Sequence, residues 1–237
     1  MEYRLATEMK DRTRSTRLSF MPFTTEQITA AIRHLRKADP VMGELIAQAG
    51  PFTLKLERNR FGMLVRSILS QQISTKAARA IRLRLDELIE SNKPTPDAIA
   101  RVTDEQLRSV GLSGQKVGYL RDLTERMLDG RLRLDKIGRL SDEEAIEHLI
   151  QVKGIGRWTA QMFLMFSLGR IDVFPHDDFG VRSSIRELYG LAELPDKHRS
   201  HEIAEPWAPY RTVASWYCWR LTDVKNDQKI DASKYPE

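Results

Sequence analysis

Cysteine is nearly missing from this chain of 237 residues: Cys218 is the only one. A single thiol excludes an internal disulfide and any four-thiolate zinc or iron–sulfur centre built from this chain alone. Long apolar runs are missing too. No stretch of ~18 apolar residues is available to cross a bilayer, and the opening MEYRLATEMKDRTRSTR is charged where a signal peptide needs an apolar core. A soluble, cytoplasmic chain without membrane association is therefore expected. There is no internal repeat of useful length and no low-complexity tract. Strand signal is almost absent, confined before position 60 to the alternation FTLKL at 52–56, which is too short to support a sheet alone.

What is present is enough apolar material to fold. Hydrophobic residues make up 41% of the chain, sufficient for one domain or for two small helical lobes sharing a cleft. Basic residues outnumber acidic ones by 38 to 33, a mild excess that favours a polyanionic partner and that many ordinary enzymes share. Residues 1–23 read as a basic flexible arm and 222–237 as a polar tail. Between them the apolar spacing is helical. TTEQITAAIRHLRKAD is capped by Thr24 or Thr25, and Pro40 opens a helix that ends at Gly50. FGMLVRSILS and ISTKAARAIRLRLDELIE are two helices joined at Gln71 and Gln72. Helical segments continue through TPDAIARV, TDEQLRSV, SGQKVGYLRDLTERMLDG and SDEEAIEHLIQV. WTAQMFLMFSL and VASWYCWRL are apolar on nearly every side and read as centrally buried helices.

The segment 142–168 reads as a helix-hairpin-helix. SDEEAIEHLIQV runs into VKGIG, and a second helix starts at Arg157. Gly154 and Gly156 let the backbone turn tightly, both with positive φ, while Ile155 plugs the turn into the core. The second helix then presents unpaired N–H groups and its positive dipole end, with no side chain on the glycines to obstruct a phosphate. Lys153 and Arg157 add two cations. Such contacts hold a duplex in register without reading its sequence.

With that hairpin in place, the ordered motifs SILSQQIS, GLSGQKVGYL, VKGIGRWTAQMF, DVFPHDD and WAPYR followed by Trp219 resemble the helix-hairpin-helix DNA glycosylase superfamily, and within it the 3-methyladenine DNA glycosylase II (AlkA-type) family. The resemblance spans roughly 24–221. It implies an all-α, two-lobed fold with the active site in the cleft between lobes, and hydrolysis of the N-glycosidic bond of an alkylated base flipped from duplex DNA. It implies neither metal nor cofactor, and a monomer associated with the nucleoid. Only about 50 residues precede the helical core, so the β-rich N-terminal subdomain of larger members is expected to be absent or vestigial.

The resemblance assigns catalysis to Asp178, the second acid of PHDD. A carboxylate near C1′ stabilises oxocarbenium character and can orient the attacking water. The path is feasible, since a helix from Arg157 to Leu168 rises ~18 Å and the connection Gly169 to Asp177 spans up to ~30 Å. The alternative is that Asp177 or Asp178 merely caps the helix FGVRSSIRELYG. His176 reads more readily as a packing residue than as a substrate contact. Trp158 and Trp219 match the family's pocket aromatics, Met162 stands where many relatives carry a further aromatic, and Tyr210 and Arg211 support the pocket; core packing is the alternative for both tryptophans. Trp207 and Trp216 belong to the core. Gln72 matches the wedge that fills the gap left by a flipped base, with Gln71 and Ser74 beside it on the DNA-facing turn; a polar helix linker is its alternative. Bifunctional relatives carry a lysine just after the hairpin, where this chain has Trp158, so no Schiff-base chemistry is expected. The rivals are a non-catalytic DNA-binding module, a glycosylase for oxidised or deaminated bases, and, weakest, a metal-dependent nuclease on His176, Asp177 and Asp178. His198 and His201 stand at helical spacing with nothing nearby to complete a site.

Overall fold

The computed structural model describes residues 23–225. Most of the expected arm and tail therefore lies outside the described residues. All regular structure among the described residues is helical. FTLKL, the one expected strand, is irregular, because among the described residues no second strand accepts its ladder bonds.

The chain divides into two compact units, one of residues 23–56 and 168–225 and the other of 57–167. Helices α1 (Thr25–Ala38) and α2 (Pro40–Ala49) open the first unit. The second holds α3 (Arg60–Ser70), α4 (Thr75–Leu88), α5 (Pro96–Arg101), α6 (Asp104–Ser109), α7 (Gly114–Leu128), α8 (Asp142–Leu149) and α9 (Arg157–Phe166). The first unit closes with α10 (Phe179–Leu188), α11 (Lys197–Ala204) and α12 (Arg211–Lys225). Starts follow the expected capping chemistry. Thr24 and Ser141 each form a capping box, and Pro40 occupies the first turn of α2, where its missing N–H costs nothing.

The first unit is built around aromatics. Trp207 is fully buried and Trp216 nearly so. The indole N–H of Trp207 donates to Asp39 Oδ2 at 2.7 Å, while Asp39 Oδ1 caps α2 by accepting from the Met42 N–H at 3.1 Å. Most of α12 is buried, and the Cys218 thiol is pushed well above its ordinary pKa by burial, then by the nearby Asp178 and Asp39 carboxylates. Two boundaries differ from expectation. Phe23 belongs to the packed unit, edge-on to Phe52 at 5.4 Å. Residues 222–225 continue α12 instead of beginning a surface tail, because Asp223 is buried against Arg220 at 3.2 Å and Val224 packs on the core.

In the second unit, every residue of α9 from Thr159 to Phe166 is buried. The helix stops at Phe166, capped by Ser167, two residues short of the expected Leu168. Trp158 is a further exception to the buried reading, for 45% of its surface is exposed. Among the described residues no helix is long and apolar enough to cross a membrane.

Candidate active site

The hairpin of the second unit joins α8 to α9. Gly154 has φ +80°, and a Cβ built there would stand 2.2 Å from Tyr119 Cδ2, so glycine is required by backbone and by packing. Gly156 differs from expectation: its φ is −91° in the extended region, and it serves as the side-chain-free N-cap of α9. A Cβ at Gly156 would meet nothing within 4 Å. Only one of the two glycines therefore makes the turn; the other keeps clear the space before the N–H groups of α9. Ile155 is buried between them, as its plug role requires.

Two contacts fix this turn, and a third holds the end of α3 that leads to Gln71. Gln71 Nε2 donates to the Gly154 carbonyl at 2.7 Å, so Gln71, expected on the DNA-facing turn, is a strut between that turn and the hairpin. Asp122 Oδ2 accepts the Lys153 N–H and the Arg126 Nε–H, each at 2.9 Å. Burial acts to raise the Asp122 pKa, but these donors and the two cations prevail and hold it below the usual carboxylate range. Lys116 Nζ donates to the Leu69 carbonyl at 2.7 Å, and burial lowers its pKa. The Lys153 side chain is exposed at the turn. Arg157 is held by Glu143, with nitrogen–oxygen distances of 2.7 and 2.5 Å, a pair exposed enough for a phosphate to compete for. Gln72 has φ +55° and is exposed, Ile73 beside it is 37% exposed, and Ser74 caps α4 through the Ala77 N–H. Trp158 presents its surface on the first turn of α9, and Met162 one turn further is buried.

The acidic residue lies in the first unit. Asp178 is 8% exposed and is itself the N-cap of α10: its Oδ1 accepts the Val181 N–H at 2.8 Å. The same oxygen accepts the indole N–H of Trp219 at 2.9 Å. Gly180 makes this possible, since a Cβ there would stand 3.0 Å from Trp219 Cδ1 and 3.1 Å from Asp178 Oδ1. The cap thus falls on Asp178 and not on Asp177, whose carboxylate is exposed and lies 3.3 Å from His176 Nε2. His176 is buried with its ring 5.0 Å from that of His201, as a packing histidine.

The loop carrying Asp178 is stapled by the start of α12. Arg211 grips Asp172 with its guanidinium at 2.7 and 2.6 Å and its N–H at 3.1 Å. Thr212 Oγ1 donates to the Arg170 carbonyl at 2.7 Å and accepts the Val173 N–H at 2.9 Å. Tyr210 is partly buried with its ring 5.3 Å from that of His34. Phe179, the residue after Asp178, is 69% exposed at the first position of α10 and was not singled out from the sequence. Among the described residues no group of three His, Cys, Asp or Glu side chains could hold a metal. His198 pairs with Glu202 at 3.2 Å, whereas His201 turns to Phe174 and His176.

A glycine hairpin that opens α9 in one unit, and a buried carboxylate that caps α10 in the other, belong to an all-α helix-hairpin-helix fold. Comparison with known proteins bears this out: residues 65–209 match the family described as HhH-GPD superfamily base excision DNA repair protein, and the chain belongs to that superfamily. It is 36% identical over 207 residues to DNA-3-methyladenine glycosylase 1 of Schizosaccharomyces pombe, covering 85% of this chain and 91% of that protein. The structure of the Schizosaccharomyces pombe 3-methyladenine DNA glycosylase Mag1 in complex with abasic DNA superimposes with a TM-score of 0.75 at 36% identity, over 82% of this chain and 97% of that one. A DNA-3-methyladenine glycosidase from Bacillus halodurans gives the same TM-score of 0.75 and identity of 36%, covering 86% and 94%.

Proposed function

We propose that this protein is a monofunctional DNA glycosylase, acting as a monomer, that hydrolyses the N-glycosidic bond of alkylated bases such as 3-methyladenine and 7-methylguanine in duplex DNA. The observation that carries the reading is the Asp178 carboxylate, buried and anchored through one oxygen by the Val181 and Trp219 N–H groups. Two donors on one oxygen fix the plane of the carboxylate, which is what electrostatic stabilisation of an oxocarbenium-like transition state needs. An alkylated purine carries positive charge and is drawn to aromatic faces, a role assigned to Trp158 and Trp219 with Met162 and Tyr210 in support. Gly154, Gly156 and Lys153 hold the phosphates, Arg157 joins them by exchanging Glu143 for phosphate, and Gln72 fills the gap in the stack while Gln71 and Ser74 brace its turn. Trp158 stands where a bifunctional enzyme has its lysine, so the sugar–phosphate backbone is left intact.

The test is incubation of methylated duplex DNA with the purified protein, followed by chromatography of free bases and by strand analysis without alkali. Release of 3-methyladenine with unbroken strands is expected. DNA binding without base release would reduce the protein to a clasping module, and strand scission without alkali would overturn the monofunctional assignment.

A further inference from the structure

The charges of α4 are arranged against the helix dipole. In α1, α6 and α8 the first turn carries acids and the last turn carries bases or histidine, the order a helix dipole favours. In α4 the first turn has no acid but holds Lys76, with Arg79 one turn on, and the last turn has no base and carries Asp86 and Glu87. At 100° per residue, Lys76, Arg79 and Leu83 share the side opposite the buried Ile81 and Leu85. Lys76 and Arg79 are exposed, and neither forms an ion pair among the described residues. Other arginines of the same unit are spent on carboxylates, among them Arg66, Arg121, Arg126, Arg131 and Arg133, while Arg84, Arg101 and Arg108 are, like Lys76 and Arg79, exposed without one among the described residues; what sets Lys76 and Arg79 apart is their place on the first turns of α4. Lys116, the other first-turn lysine nearby, is spent on the Leu69 carbonyl.

The position of this unpaired stripe is fixed by the strut already described. Gln71 is hydrogen-bonded to the hairpin carbonyl of Gly154, and α4 begins four residues after Gln71. Lys76 and Arg79 therefore stand on the first turns of the helix that leaves the hairpin's own edge. We infer that the phosphate-binding surface of the second unit extends beyond the hairpin onto the first two turns of α4, where Lys76 and Arg79 hold duplex DNA backbone. The inference rests on the glycosylase reading above and adds two phosphate contacts to it. These contacts carry no sequence information; they add grip and salt dependence.

The experiment measures binding to undamaged duplex and to duplex with an abasic analogue by fluorescence anisotropy across a salt series. Each phosphate contact contributes about 0.9 to the slope of log K against log salt, so Lys76→Ala/Arg79→Ala should flatten it by about 1.8, equally on both duplexes. Base release at saturating DNA should be retained. Lys93→Ala is the control, because Lys93 lines a recess with Glu57, Arg58 and Asn59 at the opposite end of α3 from Gln71, about 16 Å of helix away; its slope should equal wild type. An unchanged slope in the double variant, or an equal change in Lys93→Ala, overturns the inference. Failure of the wild type to release bases would count against the glycosylase reading and leaves the slope to decide the binding surface.

Discussion

Asp178 has two roles that a substitution can separate. Asparagine caps a helix about as well as aspartate, so Asp178→Asn should keep thermal stability within about 0.5 kcal/mol while removing the charge. Base release in single turnover is expected to fall by roughly 10² or more, as when one electrostatic stabiliser is lost; near-normal release would leave Asp178 as a cap only. Trp219→Phe tests the anchor. It keeps an aromatic ring but deletes the indole N–H that meets Asp178 Oδ1 at 2.9 Å. A hydrogen bond to a charged group contributes roughly 1.5–3 kcal/mol, so kcat should drop by about 10- to 100-fold while DNA affinity is retained. A loss confined to KM would show that Trp219 only stacks. Asp178 was legible in the sequence through PHDD and its place before a helix. Its bond to Trp219 was not, because the two are separated by 41 positions and only the packing of α12 on α10, cleared by Gly180, brings them together.

At the scale of the element, the hairpin motif was legible but the division of labour between its glycines was not. VKGIG permits a positive φ at either glycine, and the choice is made by Tyr119, which lies under Gly154 from a helix more than thirty residues upstream. The consequence is a pair of opposite phenotypes. Gly154→Ala forces an L side chain into left-handed backbone, at ~1–2 kcal/mol, and drives a Cβ into the Tyr119 ring, so the melting temperature should fall clearly. Gly156→Ala costs only a weaker cap in the protein, but it fills the space before the α9 N–H groups, so it should weaken binding to every duplex with little thermal penalty. Reversal of this order would mean that Gly156, not Gly154, makes the turn. FTLKL shows the opposite limit of sequence reading: local alternation was real, but with no partner strand it stayed coil.

For the whole molecule, the pairing of residues 23–56 with 168–225 could not be read from the chain, since periodicity reports which face of a helix is buried and not which distant helix buries it. Within the 168–225 stretch, His201 of α11 lies against Phe174 and His176, in the loop that leads to Asp178. Burial, followed by the charges of His176, Lys197 and Arg211, lowers the His201 pKa below its usual 6.5, with Asp177 opposing. The fold therefore prefers the neutral imidazole. Its contribution to stability is fully present above about pH 6.5, the unfolded value, and is lost as pH falls toward the lower folded value. Melting temperature should decline as pH is lowered from 7.5 to 5, before most carboxylates titrate, and His201→Gln should flatten that decline while lowering stability at pH 7.5 through the lost ring contact with Phe174. Parallel pH curves for wild type and variant would remove His201 as the source, and base release measured over the same range would show whether loosening this loop reaches Asp178.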